Sequence, residues 1–271
     1  MFGAVYGDVI GSYYEVHSTK KYDFTLNPQS TFTDDTVLTA AVCRAILNHG
    51  DDITKSRRKD RALEYAALYK QYYSHYPYAG FGGMFQRWAR GDSFESIPSY
   101  GNGGAMRAVP IGYSYSTMEQ TMLQAEASCM ITHRNAEAIK GAKAVCAAVY
   151  LARNGESKSA IRGYIEKYFG YRLQEKLSDI RKDYMFEVRA SKSVPQAILS
   201  FLESEDYESA VRNAVSLGGD ADTMACIAGG IAQAYYQTIP DHIRKFCDMR
   251  IDSSLRLTVR EFEKKYAHFI Q

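Results

Sequence analysis

At 271 residues the chain is long enough to bury a full core, in one large domain or two small ones. Its 33 Lys and Arg against 31 Asp and Glu leave a formal charge of +2, too weak a field to argue for nucleic acid or an acidic membrane surface as partner. The five cysteines, Cys43, Cys129, Cys146, Cys226 and Cys247, lie scattered in apolar helical patterns without zinc spacing, which reads as reduced structural thiols in a cytoplasmic protein.

The chain opens Met1-Phe2-Gly3-Ala4-Val5-Tyr6-Gly7-Asp8, with no basic start and with Asp8 breaking the apolar run, so a secretory leader is not expected. No later segment reaches the roughly 20 continuous apolar residues of a membrane span. Gly3, Ala4, Val5, Gly7, Val9, Ile10 and Gly11 predict a buried helix packed closely against its neighbours. Asp8 within it is open to two readings: a support behind a metal ion, or a partner for a nearby backbone amide. Glu15 stands where the pattern runs out, placed to project into a cleft, although a Glu there is also an ordinary solvated end. Lys20 to Ser30 reads as loop and delivers the chain to Thr33-Asp34-Asp35-Thr36. Behind that cluster Val37, Ala40, Ala41, Arg44, Ala45 and Leu47 form a helical stripe with a stop at His49-Gly50.

Ala62, Ala66, Tyr69 and Tyr73 mark one face of the next helix. From Pro77 to Pro110 glycine and proline predict loops, where ligands are commonly met. There Gly101-Asn102-Gly103-Gly104 either simply turns the chain or points several backbone N–H groups into a concavity that holds phosphate. After Tyr115 the period is helical, with caps at Thr117 and Asn135, a stop at Asn154-Gly155 and a new start at Ser157. An amphipathic pattern covers 171–184, Val194-Pro195 opens another helix with Pro in its first turn, and 207–215 makes one more. His133 falls in a corner between two helices, as a hydrogen-bonding strut or, less commonly for a lone His, a ligand.

The glycine turn Ser216-Leu217-Gly218-Gly219 then leads into Asp220-Ala221-Asp222-Thr223 and a helix, with Met224, Ile227, Ile231 and Tyr235, that is apolar nearly all round and therefore buried. Pro240 and a last amphipathic helix close the chain. Either Asp cluster alone reads as a helix cap. Together, with Gly218-Gly219 allowing close approach, Thr33, Asp34, Asp35, Asp220, Asp222 and Thr223 supply the oxygen ligands that hard divalent cations require. No alternating strand, linker or repeat is evident, and the reading is one all-α domain over 1–271 with both Asp clusters at the N-terminal ends of central helices.

These motifs, Gly7-Asp8-Val9-Ile10-Gly11-Ser12 ahead of Glu15, Phe32-Thr33-Asp34-Asp35-Thr36, Gly101-Asn102-Gly103-Gly104-Ala105-Met106-Arg107, Thr132-His133 and Gly218-Gly219-Asp220-Ala221-Asp222-Thr223, resemble the ADP-ribosylglycohydrolase family in kind and order. The resemblance implies an all-α fold around two divalent cations, Mg2+ or alternatively Mn2+, and hydrolysis of a glycosidic bond to ADP-ribose in an ADP-ribosylated protein or other conjugate. It matches Thr33, Asp34, Asp35, Asp220, Asp222 and Thr223 to metal ligands. Glu15 corresponds to a mobile cleft glutamate that contributes to catalysis, and the chemistry of ribosyl cleavage makes a metal-bound carboxylate, Asp34 or Asp35, a further candidate to accept a proton. Gly101, Asn102, Gly103, Gly104, Ala105 and Met106 correspond to the loop that holds the diphosphate and nucleoside, His133 to a residue near the ligand, and Phe81 and Tyr100 to rings offered to adenine. A monomer is expected. Nucleic acid is not expected as a partner, though ADP-ribosylated nucleic acid stays open as a substrate. Two rival readings differ in class: a non-catalytic ADP-ribose-binding or structural member of the same fold, and a metal-dependent phosphohydrolase acting on nucleotides.

Overall fold

Glycines at positions 3, 7 and 11 recur every four residues and so line up along one face of a helix. That helix leads the computed structural model, which describes residues 1–49 and 57–267. In chain order the helices are α1 (Phe2–Val16), α2 (Asp34–His49), α3 (Arg58–His75), α4 (Gly83–Arg90) and α5 (Gly103–Met106). They continue as α6 (Val109–Ser114), α7 (Met118–Cys129), α8 (Ala136–Arg153), α9 (Lys158–Phe169) and α10 (Leu177–Asp183). The last are α11 (Ala190–Leu202), α12 (Tyr207–Val215), α13 (Ala221–Tyr236), α14 (Asp241–Asp248) and α15 (Ser253–Tyr266). No strand occurs among the described residues, apart from an isolated bridge between Gly101 and Arg189. No helix among them is long and apolar enough to cross a membrane.

Helix α13 is the centre, with every residue from Ala221 to Ala234 buried. Helices α1, α8, α11 and α12 pack on it. The closest pair is α1 with α13, and small residues on both sides make it possible. A Cβ built on Gly3, Gly7 or Gly11 would come closer than 3.0 Å to backbone atoms of Gly229, Ala225 or Ala221 respectively. The two backbones therefore touch along two turns, which carries Asp8 and Glu15 of α1 alongside the start of α13.

Several helix starts follow their sequence signals. Thr117 Oγ1 accepts from the Gln120 amide, Asn135 Oδ1 from the Glu137 amide and Ser157 Oγ from the Ala160 amide. Three expectations change. The stretch 77–110 is not simply loop: it holds α4, α5 and the beginning of α6, where Pro110 sits in the first turn and its missing N–H deprives the helix of nothing. Helix α11 starts at Ala190, before Val194-Pro195, because the Ala190 amide is anchored on the Tyr100 carbonyl at 3.1 Å. In 171–184 only Leu177–Asp183 is helical. Helix α2 does run to His49, and the stop expected at Gly50 lies outside the described residues. All five cysteines are buried and free.

Candidate active site

Three helices deliver the carboxylates. Asp34 and Asp35 open α2, Asp220 caps α13 and Asp222 lies in its first turn, and Asp8 and Glu15 come from α1. The glycine turn that places Asp220 is fixed from outside. Gly218 has φ +69, a conformation side chains rarely adopt, and its carbonyl accepts from Ser18 Oγ at 3.0 Å while the Leu217 carbonyl accepts from Lys20 Nζ at 2.6 Å. The segment after α1 thus clamps the turn before α13.

Asp8, fully buried, spends its oxygens on the start of α2. Its Oδ1 accepts from Thr33 Oγ1 at 2.7 Å, and its Oδ2 accepts from the Thr33 amide at 3.0 Å, the Thr36 amide at 3.1 Å and the Thr36 hydroxyl. Of the two sequence readings of Asp8, the partner for nearby backbone amides is the one seen, and the same carboxylate also takes the Thr33 and Thr36 hydroxyls. Thr33 Oγ1 also lies 3.3 Å from Asp35 Oδ2 and accepts from the Asp35 amide at 3.3 Å. Thr223 Oγ1 approaches the same Asp35 oxygen at 3.4 Å.

Carboxylate oxygens of Asp8, Asp35 and Asp222 lie within 4.8 Å of one another, as do those of Glu15, Asp220 and Asp222. Burial, reinforced by the charges of Asp222 and Asp8, holds the Asp34 and Asp35 carboxyls well above the usual carboxylate range; burial and Asp220 do the same to Asp222. Asp220 rises only to about 6, because hydrogen bonds from Asp222 and from Asn102 Nδ2, at 2.6 Å, work against its burial. Glu15 is pushed up to about 7 by burial and by the Asp222 charge. The buried Asp35 Oδ1 has no hydrogen-bond partner. Buried carboxylates crowded in this way, with an orphaned oxygen, fit divalent cations, which supply the positive charge and the missing partner at once.

The cluster floors a cavity of about 430 Å3, within the range of small-molecule sites. Of the residues singled out from the sequence, Glu15, Asp34, Asp35, Tyr100, Gly101, Asn102, Gly103, Met106, His133, Asp220, Asp222 and Thr223 line it. Four do not. Thr33 is buried, its hydroxyl bonded to Asp8. Phe81 is 3% exposed and stacks on Phe85 with ring centroids 5.2 Å apart, so the ring on the wall is Phe85. Ala105 is fully buried in the core, and Gly104 is packed so closely that a Cβ would meet Cys129 Sγ at 2.8 Å. Asn102 lines the cavity, yet its amide group is spent on Asp220 and on Ser193 Oγ, so it serves the acidic cluster. In the glycine loop the Gly101 amide is used by Ser99 Oγ and the Asn102 amide by the Val188 carbonyl. Gly103 and Gly104 begin α5, where amides have no intrahelical acceptor.

Sequence reasoning missed Phe186 and Val188, which line the cavity from the segment between α10 and α11 and are 56% and 41% exposed. No local pattern marks them, since only the bridge from Arg189 to Gly101 brings this segment to the glycine loop. Arg107 and Thr132, which the sequence offered within its motifs but with no role of their own, are both buried and both on the cavity lining.

The family model for ADP-ribosylglycohydrolase matches residues 1–267. The chain is 27% identical to ADP-ribosylhydrolase ARH3 of Homo sapiens over 316 residues, covering 91% of this chain and 87% of that protein. It is likewise 27% identical to ADP-ribosylhydrolase ARH3 of Gallus gallus, again over 91% of this chain. A solved structure described as an ADP-ribosylglycohydrolase-related protein complex superposes with a TM-score of 0.70 at 21% identity, covering 96% of this chain and 95% of that one, and shares its fold.

Proposed function

This chain belongs to the ADP-ribosylglycohydrolase family, and from that premise we propose that it hydrolyses the glycosidic bond between ADP-ribose and an acceptor, a protein side chain or a related conjugate, at the carboxylate-floored cavity. The observation that carries the reading is the convergence of Glu15, Asp34, Asp35, Asp220, Asp222 and Thr223 on one cavity with Gly101 and Gly103 on its wall. A non-catalytic binder of ADP-ribose has no need of so costly a cluster of buried carboxyls. A phosphohydrolase would need its metals at the phosphates, whereas here the Gly103 amide, on the cavity wall and without an intrahelical acceptor, is the donor open to an anion.

Asp34, Asp35, Asp220, Asp222, Thr33 and Thr223 would hold two divalent cations, with Mg2+ the first choice. When bound, such ions polarise hydroxyls and acidify water. The chain's own residues do the rest. Asp8 and Asn102 fix the orientation of Thr33 and Asp220. Glu15, half-buried at the cavity beside Asp222, is placed to carry a proton as positive charge builds at the anomeric carbon. Phe85, Tyr100 and Phe186 offer apolar walls to a nucleoside.

The test is incubation of the pure protein with arginine-, serine- and acetyl-linked ADP-ribose. Free ADP-ribose should appear with Mg2+ present and vanish with a chelator. Binding of ADP-ribose without turnover of any conjugate would return the protein to the non-catalytic reading.

A further inference from the structure

Arg107, at the C-terminal end of α5, is fully buried. Its Nη2 donates to the Ser128 carbonyl at 3.1 Å and to Thr132 Oγ1 at 2.5 Å, its guanidinium carbon lies 4.1 Å from the centre of the Tyr69 ring, and Nε and Nη1 have no hydrogen-bond partner. It is the one Lys or Arg among the described residues lining the cavity, against five carboxyl side chains. A buried cation with no carboxylate bonded to it is expensive, and its side-chain partners are the Tyr69 ring and the Thr132 hydroxyl.

Thr132 Oγ1 is 3.0 Å from His133 Nδ1. A threonine hydroxyl has one hydrogen and two lone pairs. One lone pair takes the Arg107 N–H. If the other took an Nδ1–H, the buried hydroxyl hydrogen would have no acceptor among the contacts of Thr132, a cost of about 1–3 kcal/mol. Donation from Thr132 to Nδ1 satisfies the Thr132 hydroxyl and Nδ1 together, and it leaves the imidazole hydrogen on Nε2. That nitrogen abuts the glycine loop, since a Cβ on Gly103 would lie 3.0 Å from it.

We infer that Arg107 is a positioning residue acting through Thr132: it fixes His133 as a neutral imidazole whose Nε2–H is presented beside Gly103 as a donor to an oxygen of the bound ligand. The inference rests on the proposed occupant only for the identity of that oxygen, which belongs to the diphosphate or a ribose. The charge environment agrees. Burial and the Arg107 charge both hold the imidazole well below its ordinary range, while the neighbouring Cys129 thiol and Tyr69 phenol are pushed up by burial and stay neutral. The neutral ring is a donor at one nitrogen only, so the arrangement selects an acceptor atom at that point of the cavity.

Nitrogen-15 NMR of the histidine side chains in the ligand-free protein tests it, with His133 assigned by His133→Gln. Wild type should show His133 with a protonated Nε2 and an unprotonated Nδ1, unchanged between pH 6 and 8. Thr132→Val, which keeps the shape and removes the hydroxyl, should shift His133 towards averaged tautomers, and Thr132→Ser should restore the native spectrum. ADP-ribose affinity by calorimetry should fall about tenfold in Thr132→Val, the scale of one hydrogen bond, with Mg2+ affinity unchanged. Arg107→Met should reproduce the Thr132→Val spectrum; should that variant not fold, the Thr132 pair carries the test alone. A native Nδ1–H tautomer, or a Thr132→Val spectrum identical to wild type, overturns the inference. Failure of wild type to bind ADP-ribose would instead overturn the identity of the ligand and leave the tautomer measurement standing.

Discussion

Glu15 shows how one residue separates two roles. Its carboxylate lies within 4.8 Å of Asp220 and Asp222, close enough to share a cation, yet it comes from the last turn of α1 and is half-buried at the cavity, unlike the buried Asp35. As the proton carrier, its replacement in Glu15→Gln keeps size and hydrogen bonding and removes the charge. Turnover at saturating Mg2+ should fall roughly a hundredfold or more, while calorimetry finds affinities for ADP-ribose and Mg2+ little changed. A large loss of Mg2+ affinity would make Glu15 a ligand, and near-normal turnover would make it an ordinary helix-end residue. Asp8 illustrates the complementary case, a carboxylate whose oxygens are taken up by Thr33 and Thr36 and which acts by orienting them.

At the scale of elements, the contact of α1 with α13 determines whether Asp8 and Glu15 reach Asp222 at all. Gly7 is its tightest point, facing the Ala225 carbonyl with no flexible side chain to yield. Gly7→Ala should destabilise the protein by about 1–3 kcal/mol, the cost of overpacking, measured by urea unfolding. Gly163→Ala is the contrasting case, because nothing lies within 4 Å of a Cβ at that position in α9. Replacing glycine by alanine inside a helix without new contacts should stabilise by about 0.5–1 kcal/mol. Equal effects of the two substitutions would refute backbone contact as the reason for the glycine at position 7. The glycine stripe was legible as a demand for close packing, but nothing local in the sequence named its partner.

For the whole molecule, the carboxyl cluster links stability to pH and to metal. The raised pKa values of Asp34, Asp35 and Asp222 mean that the folded state prefers these groups protonated. Their contribution is fully present below the unfolded value of about 3.9 and is lost as pH rises through the raised values. Glu15, likewise raised, to about 7, puts part of that loss between pH 6 and pH 8, so with a chelator present thermal unfolding should show lower stability at pH 8 than at pH 6. Mg2+ at a hundredfold excess over its Kd should add about 2.7 kcal/mol at the higher pH and flatten the dependence. A metal-free protein whose stability rises across that range would show that the cluster does not carry the strain its burial implies.

What the sequence determined by itself was what depends on near neighbours. Helix periods, the caps at Thr117, Asn135 and Ser157, and the oxygen-bearing residues at two helix starts are set by backbone hydrogen bonds four residues long and by side chains one turn away. The motif order, from Gly7-Asp8 to Asp222-Thr223, carried the family as well. Tertiary structure alone decided which of these groups meet: Thr223 approaches Asp35 across 188 residues of chain, and Asn102 reaches Asp220 across 118. It also turned Phe81 into the core, brought Phe186 and Val188 to the cavity through the pairing of Arg189 with Gly101, and joined Arg107 to His133 through Thr132. Such contacts depend on how whole helices pack, and packing is fixed by the sum of many weak, non-directional burials that no local pattern encodes.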